Sequence, residues 1–283
     1  MLSIKDVTYR YSKGTEAVKG ANASLNPGLY LLLGENGAGK TTLLHLMCGL
    51  RVPSKGECCI DGENVTNRLP SVLEKTFLLG DDFECPFSTI NQMARKHGCF
   101  YPSFNFEMLR ANLADFNMTG NERIKNMSLG TRKKAFSAYA LALGVEYLLL
   151  DEPTNGMDID SKKIMRKMLA RCVNDEGIAV VSTHNVHDLG TMFDHVMVMH
   201  EGYLRLVMPI WEITEKVSFV TSAAPVKGAI FQEPDAGVFK AIIPNETGIE
   251  TDIDYPLFFS AITAPVGDLF IDFLTSNIIS HNE

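Results

Sequence analysis

The chain has 283 residues, of which 46% are hydrophobic and 21% are charged, and its formal net charge is −8. This length exceeds that of an average domain, so we expect one large domain with a smaller appendage, and the composition excludes an intrinsically disordered chain. The net negative charge argues against broad binding to nucleic acid or anionic lipid, because both need clusters of lysine and arginine.

Cysteine usage and hydropathy both indicate a cytoplasmic chain that does not itself span a membrane. The cysteines show no CxxC spacing in a chain too large to depend on disulfides, so we expect free, buried thiols in a reducing compartment. They are Cys48, Cys58, Cys59, Cys85, Cys99 and Cys172. The opening residues lack the apolar core of a signal peptide, and no run approaches the roughly 18 apolar residues of a membrane-spanning helix. Any function at a membrane would therefore need a membrane partner.

The first part of the chain alternates short strands with turns. Apolar runs bounded by glycine and proline predict strands at residues 3–8, 16–25, 29–33, 56–60 and 75–79. The third strand runs directly into a glycine-rich turn at residues 34–39, and residues 40–50 continue with the apolar spacing of a helix. A strand, a turn and a helix therefore follow one another without a linker.

The middle of the chain predicts a helical arm inserted into an α/β core. Between residues 88 and 116 apolar residues recur at helical spacing in two stretches, and we expect Pro102-Ser103 to open the second helix. Buried strands at residues 147–150 and 178–182, separated by a helix at residues 159–173, indicate a parallel sheet.

After about residue 211 the pattern changes and predicts a small C-terminal subdomain. Strands are expected at residues 217–221, 229–233, 238–244 and 255–262, with a closing helix at residues 266–277. We divide the chain into a large domain at residues 1–211, with a helical subdomain at about 84–143, and a small subdomain at residues 212–283. The small subdomain carries no chemical motif, so we expect it to support packing or dimerisation.

The glycine-rich turn predicts a phosphate site. Residues 34–41 read GENGAGKT and match the pattern GxxxxGK[ST] between a strand and a helix. Glycines let successive N–H groups turn toward one anion, and the helix N-terminus adds partial positive charge. We expect Lys40 to reach the β- and γ-phosphates and the Thr41 hydroxyl to ligate Mg²⁺. The residues predicted to bind nucleotide here are Gly34, Asn36, Gly37, Ala38, Gly39, Lys40, Thr41 and Thr42.

Two acidic residues end the predicted strand at residues 147–150. Asp151 and Glu152 would lie at the C-terminal edge of the sheet, where open α/β sheets bind their ligands. We expect Asp151 to hold the magnesium shell. Glu152 is placed to orient and polarise the attacking water, because phosphoryl transfer depends mainly on positioning and electrostatics.

Five features, in this order along roughly the first 210 residues, resemble the ATP-binding cassette (ABC) family. Tyr11 is similar to the aromatic residue that stacks on adenine, and the GENGAGKT turn follows it. Residues 127–131 (MSLGT) resemble the family's signature sequence, residues 151–158 (DEPTNGMD) its Walker B and D-loop run, and residues 180–184 (VVSTH) its switch histidine. The resemblance implies an α/β fold: a P-loop NTPase of ABC type with a RecA-like core sheet, an antiparallel β subdomain, a helical arm and a small C-terminal α+β appendage.

The resemblance also implies how the chain works. It would dimerise head to tail around ATP and Mg²⁺, as a homodimer or as a heterodimer with another ABC ATPase. Ser128 and Gly130 of one subunit would face the γ-phosphate held by the other, and His184 would hold Glu152 and water in register. The implied protein is the ATP-hydrolysing subunit of a transporter, peripheral on the cytoplasmic face of the membrane, that drives a separate transmembrane permease. Its signature and tail resemble the branch that exports drugs, peptides or bacteriocins or gives immunity to them.

Two departures from the family pattern bear on this function. Leu129 and Thr131 replace the usual glycine and glutamine of the signature sequence, but the serine and the second glycine remain, so we expect function to survive. The family also carries a glutamine after the fifth predicted strand, which contacts magnesium and couples the site to the membrane partner. Here either Asp81 or Asp82 replaces it, since carboxylates ligate Mg²⁺, or the contact is absent and the turn is merely acidic.

Two other functions stay open at this point. A soluble cassette ATPase that acts on ribosomes or DNA usually carries two cassettes or a long coiled coil, and the acidic chain disfavours nucleic acid as a partner. A regulatory ATPase with weak hydrolysis, acting as one half of an asymmetric pair, is favoured by the missing glutamine. Glu152 and His184, both present, argue against it.

Overall fold

Three β-sheets organise the part of the chain that the structure describes. The structure is a computed structural model, and it describes residues 1–12, 14–172, 176–184, 192–245 and 251–276. The sheets are a four-stranded antiparallel sheet, a six-stranded sheet that is mostly parallel, and a three-stranded antiparallel sheet. The predicted α/β fold, with its antiparallel β subdomain, helical arm and C-terminal α+β appendage, is confirmed.

The N-terminal sheet is built from hairpins. Its strands are β1 (Leu2–Arg10), β2 (Glu16–Leu25), β4 (Lys55–Ile60) and β5 (Glu63–Asn64), in the spatial order β2-β1-β4-β5. Leu2 and Ile4 alternate onto the buried face, and a register shift between Ile4 and Val7 returns Val7 to the core. This face packs against apolar residues of helix α1 (Lys40–Met47), so the sheet supports the first turn of that helix.

The core sheet is the element that positions the candidate site. Its strands are β3 (Gly28–Leu33), β6 (Thr76–Leu79), β7 (Tyr147–Asp151), β8 (Ile178–Thr183), β9 (His195–His200) and β10 (Tyr203–Pro209). The spatial order is β10-β9-β3-β8-β7-β6, and only the β9–β10 pair is antiparallel among these strands. Strands β7 and β8 are buried along their whole length, as expected for a parallel sheet with helices on both faces. The sequence analysis did not predict β9 and β10.

Helices cover the sheets and form the arm. They are α2 (Pro70–Leu73), α3 (Ile90–Lys96), α4 (Phe106–Asp115), α5 (Leu129–Ala142), α6 (Ile159–Cys172) and α7 (Ile210–Lys216). The expected opening of the second arm helix at Pro102-Ser103 is wrong, because α4 begins at Phe106. Asn105 caps it: the Asn105 side chain accepts a hydrogen bond of 2.9 Å from the backbone N–H of Met108.

The C-terminal part contains the third sheet and two helices. The sheet has the order β11-β13-β12, from β11 (Val217–Ser222), β12 (Phe231–Asp235) and β13 (Val238–Pro244). The strand expected at residues 255–262 is wrong: helix α8 (Tyr255–Thr263) lies there, followed by α9 (Gly267–Thr275). The side chain of Asp254 caps α8, and Tyr255, Phe258 and Ile262 are buried along one helical face.

The structure also bears on the cysteines and on membrane crossing. Cys48, Cys58, Cys59, Cys85 and Cys99 are free thiols, as expected. The expectation that they are buried holds for Cys58 and Cys59 and is wrong for Cys99, which is exposed, while Cys48 and Cys85 are partly buried. In the described ranges no single helix has the length and hydropathy to cross a membrane, and only α8 and α9 taken together, bent by 112°, have both.

The Asn105 cap generates a first prediction. Replacing Asn105 by Ala removes the acceptor for the Met108 N–H and should lower the free energy of unfolding by about 1 kcal/mol, measured by urea denaturation. Asn105→Asp keeps an acceptor at the cap and should retain the stability of the unmodified chain. Equal losses in the two variants would contradict the assigned cap.

Candidate active site

The turn between β3 and α1 is shaped for an anion. It leaves the buried strand β3 after Leu33 and enters α1 at Lys40, so the first N–H groups of the helix point toward the turn. Gly37 and Gly39 have φ angles of +85° and +105°, which side-chain-bearing residues rarely adopt. A Cβ at Gly39 would also lie 2.2 Å from the carbonyl oxygen of Ala17. The turn therefore needs glycine at position 39 for both conformation and space.

Lys40 holds a buried positive charge at the centre of this turn. Its side chain is 6% exposed, and its Nζ donates hydrogen bonds to the carbonyl oxygens of Gly34 (2.6 Å) and Glu35 (3.1 Å). Burial lowers the pKa of Lys40, and the nearby carboxylates of Glu152 and Asp151 act in the opposite direction. A phosphate bound in the turn would supply the anionic partner that suits this ammonium group.

Asp151, at the end of β7, connects the end of β8 with the first turn of α1. It is 2% exposed, and its two carboxylate oxygens accept hydrogen bonds from the hydroxyls of Thr41 (2.6 Å) and Ser182 (2.5 Å). The hydroxyl of Thr41 and the carboxylate of Asp151 are oxygen donors of the kind that Mg²⁺ prefers, and their close approach fits such an ion. Sequence analysis did not single out Ser182; its only signal is a hydroxyl at the end of an otherwise apolar strand.

Glu152 lies between Lys40 and His184. One carboxylate oxygen, Oε1, is 2.9 Å from Nδ1 of His184 and 3.7 Å from Nζ of Lys40. The backbone of Glu152 has φ +47°, and its N–H donates to the carbonyl (3.2 Å) and hydroxyl (3.1 Å) oxygens of Ser182. The carboxylate thus points toward the glycine-rich turn at residues 34–39, called the phosphate turn below. Side-chain contacts and a backbone held in a left-handed conformation fix this direction.

Tyr11 lies beside the start of α1. Its hydroxyl is 2.9 Å from the hydroxyl of Thr42, and the guanidinium of Arg51 lies 4.9 Å from its ring centroid. The rings of Tyr9 and Tyr11 are perpendicular, with their centroids 5.1 Å apart. The structure therefore places Tyr11 beside the first turn of α1, which follows the phosphate turn. Its stacking on adenine stays a prediction. Arg51 is a neighbour that sequence analysis missed.

The signature residues lie apart from the phosphate turn. Ser128 caps α5, because its hydroxyl oxygen accepts a hydrogen bond of 3.2 Å from the N–H of Thr131. Gly130 packs so closely on the D-loop that a Cβ there would lie 2.6 Å from the carbonyl oxygen of Gly156. Leu129 is 58% exposed. In the described part of the chain no hydrogen bond joins Ser128 or Gly130 to the phosphate turn, so this surface stays open to another molecule.

The acidic turn after β6, which carries Asp81 and Asp82, is connected to Glu152 through Lys133. Asp81 pairs with Nζ of Lys133, which also donates a hydrogen bond of 2.8 Å to the carbonyl oxygen of Glu152. Asp82 is exposed. Gln92, the first glutamine after β6, does not replace the missing family glutamine: it lies in α3, where its side chain accepts a hydrogen bond from the N–H of Ser88. Of the two candidate aspartates, the structure thus connects Asp81 to the active site, indirectly.

Comparison with known proteins identifies the family. A family model described as "ABC transporter" matches residues 18–155. The energy-coupling factor transporter ATP-binding protein EcfA of Methanocaldococcus jannaschii is 32% identical over 215 residues, covering 71% of this chain and 76% of that protein. The chain belongs to the ABC transporter family. As an ABC transporter ATP-binding subunit it binds ATP and is an ATPase.

Other relatives and solved structures agree with this membership. The bacitracin transport ATP-binding protein BcrA of Bacillus licheniformis is 29% identical over 219 residues, covering 74% of this chain and 70% of that protein. The ATP-binding subunit of an ABC transporter has a similar fold, with a TM-score of 0.66, 18% identity and coverage of 75% and 91% of the two chains. A dimeric ATP-binding cassette in a post-hydrolysis state, bound to ADP and Pi, gives a TM-score of 0.63 at 21% identity, covering 74% of this chain and 99% of that chain.

The hydroxyl of Ser182 generates a second prediction. Ser182→Ala removes one hydrogen bond to Asp151 and one acceptor for the N–H of Glu152, so kcat for ATP hydrolysis should fall about tenfold in a phosphate-release assay. Thr76→Val is the matched control, because it removes a buried hydroxyl hydrogen bond at the opposite edge of the same sheet. An equal fall of kcat in both variants would show a general loss of stability instead.

Proposed function

We propose that this ABC ATPase dimerises around Mg-ATP and drives a separate membrane subunit that exports peptides or drugs. The observation that carries the proposal is the position of the Glu152 carboxylate, within 2.9 Å of His184 Nδ1 and 3.7 Å of Lys40 Nζ at the phosphate turn. A carboxylate so placed suits the orientation of a water molecule for attack on a phosphate. Glu152, His184 and Lys40 are all present in one chain, which favours a self-sufficient ATPase over a regulatory subunit.

Each side chain has a separate task in this mechanism. The N–H groups of residues 34–39 and the ammonium of Lys40 bind the phosphates, and Thr41 with Asp151 would hold Mg²⁺. The ion, when bound, neutralises phosphate charge. Ser182 and Thr41 fix Asp151, while His184 holds Glu152 in register with the attacking water. Water orientation and charge stabilisation therefore come from different strand ends that the sheet holds together.

The open N-terminus of α5 supports the head-to-tail dimer. Ser128 is exposed at this helix end, and the free N–H groups there suit an anion presented by another molecule. Gly130 lies against the D-loop at Gly156, so the signature turn and the D-loop form one continuous surface. ATP held by the partner subunit would complete each site, and loss of the γ-phosphate would let the subunits part.

A groove on the arm supports contact with the membrane subunit. It has a volume of about 920 Å³ and lies along residues 83–89, with Ile124 and Phe136 on its far side. Phe83, Phe87 and Phe136 supply apolar surface, which suits one face of an amphipathic helix. We propose that a cytoplasmic helix of the permease binds there and that the chain is peripheral on the cytoplasmic face of the membrane. No nucleic-acid partner is proposed.

The division of the chain and its class of cargo complete the proposal. We assign residues 1–211 to the ATPase domain and residues 212–283 to a packing or dimer-supporting subdomain. Export of peptides or drugs is supported by the similarity to BcrA, a bacitracin transport ATP-binding protein. Energy-coupling factor proteins match at similar identity, so the cargo needs its own test.

The Glu152 assignment generates a third prediction. Glu152→Gln keeps the size of the side chain but loses its negative charge, so ATP hydrolysis should fall at least about 100-fold while ATP-dependent dimers persist in sedimentation experiments. Glu146→Gln, just before the N-terminal end of β7, is the matched control and should hydrolyse ATP normally. If the unmodified chain binds Mg-ATP but neither dimerises nor hydrolyses it, the proposal of a self-sufficient ATPase dimer is wrong. That result would favour the regulatory alternative.

The direction of transport generates a fourth prediction. Inverted membrane vesicles that contain the chain with its membrane subunit should accumulate labelled bacitracin when ATP is added outside, because export then runs into the vesicle. Vesicles with the Glu152→Gln chain should not accumulate it. ATP hydrolysis without accumulation of bacitracin or of other peptides and drugs would contradict the exporter assignment and leave the ATPase assignment intact.

A further inference from the structure

Lys133 is a buried cation whose partners both lie outside its own helix. It belongs to α5 and is 7% exposed. Its Nζ donates a hydrogen bond of 2.8 Å to the carbonyl oxygen of Glu152 and pairs with a carboxylate oxygen of Asp81. Three segments therefore meet at one ammonium group: the signature helix, the turn after β6 and the end of the catalytic strand β7.

We propose that Lys133 is a positioning residue that transmits the position of the turn after β6 to Glu152 and so controls hydrolysis. The proposal deepens the function proposed above, because it rests on Glu152 as the residue that orients water and on the arm groove as the seat of the membrane subunit. Asp81 and Lys133 would thus provide the coupling that the missing glutamine supplies in the family pattern.

The backbone of Glu152 is the part of the site that needs such support. A φ of +47° is disfavoured for a residue with a side chain and persists only where the surroundings hold it. The N–H of Glu152 is held by Ser182, and its carbonyl oxygen accepts hydrogen bonds from Lys133 (2.8 Å) and from the backbone N–H of Asn155 (3.2 Å). Without Lys133 this carbonyl oxygen keeps only the longer hydrogen bond from Asn155, within its own turn, so the peptide plane after Glu152 is held less tightly. A displacement of about 1 Å at a reacting group is costly to catalysis.

Because Lys133 is charged and buried, its position depends on the carboxylate of Asp81. A buried ammonium needs a nearby anion or strong acceptors, because desolvation penalises an unpaired charge. Among the described residues, Asp81 is the acidic partner that Lys133 has, and the Asp81 side chain is 43% exposed. Movement of this half-exposed carboxylate would therefore change the position of a buried cation that contacts the catalytic strand end.

The cavities next to Lys133 connect this pair to the arm groove. A cavity of about 330 Å³ is lined by Asp81, Lys133 and Ser137, and the buried hydroxyl oxygen of Ser137 has no hydrogen-bond partner there. This cavity and the larger groove share Phe83 and Phe136 as walls, and the two rings meet edge to face with centroids 4.9 Å apart. A helix that enters the groove against Phe83 would move the turn that carries Asp81, and the cavity leaves Lys133 room to respond.

The test compares Lys133→Met, Asp81→Asn and the double variant with Lys75→Met. Lys75→Met is the matched control, since Lys75 pairs with Glu146 and Asp61 near the N-terminal end of β6, at the edge of the sheet away from the site. In the purified full-length chain we expect Lys133→Met to lower kcat at least about tenfold, with the KM and Kd for ATP within about twofold of the unmodified values. Asp81→Asn should lower kcat less, Asp81→Glu should restore it, and the double variant should lose no more than Lys133→Met alone.

A second readout does not depend on hydrolysis. Hydrogen exchange of residues 147–152, followed by mass spectrometry, should be faster in Lys133→Met and Asp81→Asn than in the unmodified chain and in Lys75→Met. Faster exchange together with normal kcat would show that Lys133 stabilises the end of β7 without controlling hydrolysis and would overturn the proposal, whereas the role of Glu152 itself is tested separately by Glu152→Gln.

The remaining outcomes decide the proposal as follows. Unchanged exchange and unchanged kcat in both variants would overturn it. A fall of kcat accompanied by a matching loss of ATP binding and of thermal stability would also overturn it, since a merely structural lysine produces that result. If Lys133→Met does not fold, Asp81→Asn carries the same test, because its side chain is half-exposed.

Discussion

The parallel pairing of β8 with β3 on one side and β7 on the other is the constraint on which the site depends. Its register places Leu33 opposite Thr183 and Asp151 opposite Ser182. The phosphate turn and the two acids, which are more than a hundred residues apart along the chain, therefore end at the same edge of the sheet. A slip of β8 by one residue would turn the Ser182 hydroxyl to the opposite face and leave Asp151 with one fewer donor.

Charge compensation across these strand ends explains how several charged side chains of low exposure lie close together. Lys40 lies next to the side-chain carboxylate of Glu152, whereas Lys133 contacts the backbone carbonyl oxygen of the same residue. Asp151 and Asp81 supply further negative charge near these two lysines. No charge in this set is buried without a polar partner, which is the condition for tolerating charge at low exposure. Removal of one member would therefore affect the others, so single substitutions here will not be additive.

The sequence predicted the elements near the site well and those far from it less well. Short apolar runs predicted the core strands β3, β6, β7 and β8, because buried parallel strands leave a simple pattern, whereas β9 and β10 of the same sheet were not predicted. The apolar segment at residues 255–262 suits either a buried strand or a buried helix, and the cap at Asp254 decides for the helix α8. The start of α4 was misplaced for a related reason: a proline and serine at residues 102–103 resemble a helix start, yet the acceptor that caps the helix is Asn105.

What the sequence determined by itself was the family and the motifs that predict the site. The order of motifs from Tyr11 to His184 requires only the identity and spacing of residues, which a sequence records directly. Only the tertiary structure decided that Ser182 holds Asp151 and that Lys133 joins Asp81 to Glu152. Lys133 and Asp81 are 52 residues apart, and no local periodicity or turn chemistry relates them. Such contacts arise when helices and turns pack around a sheet, so their partners follow from the fold and not from the neighbouring sequence.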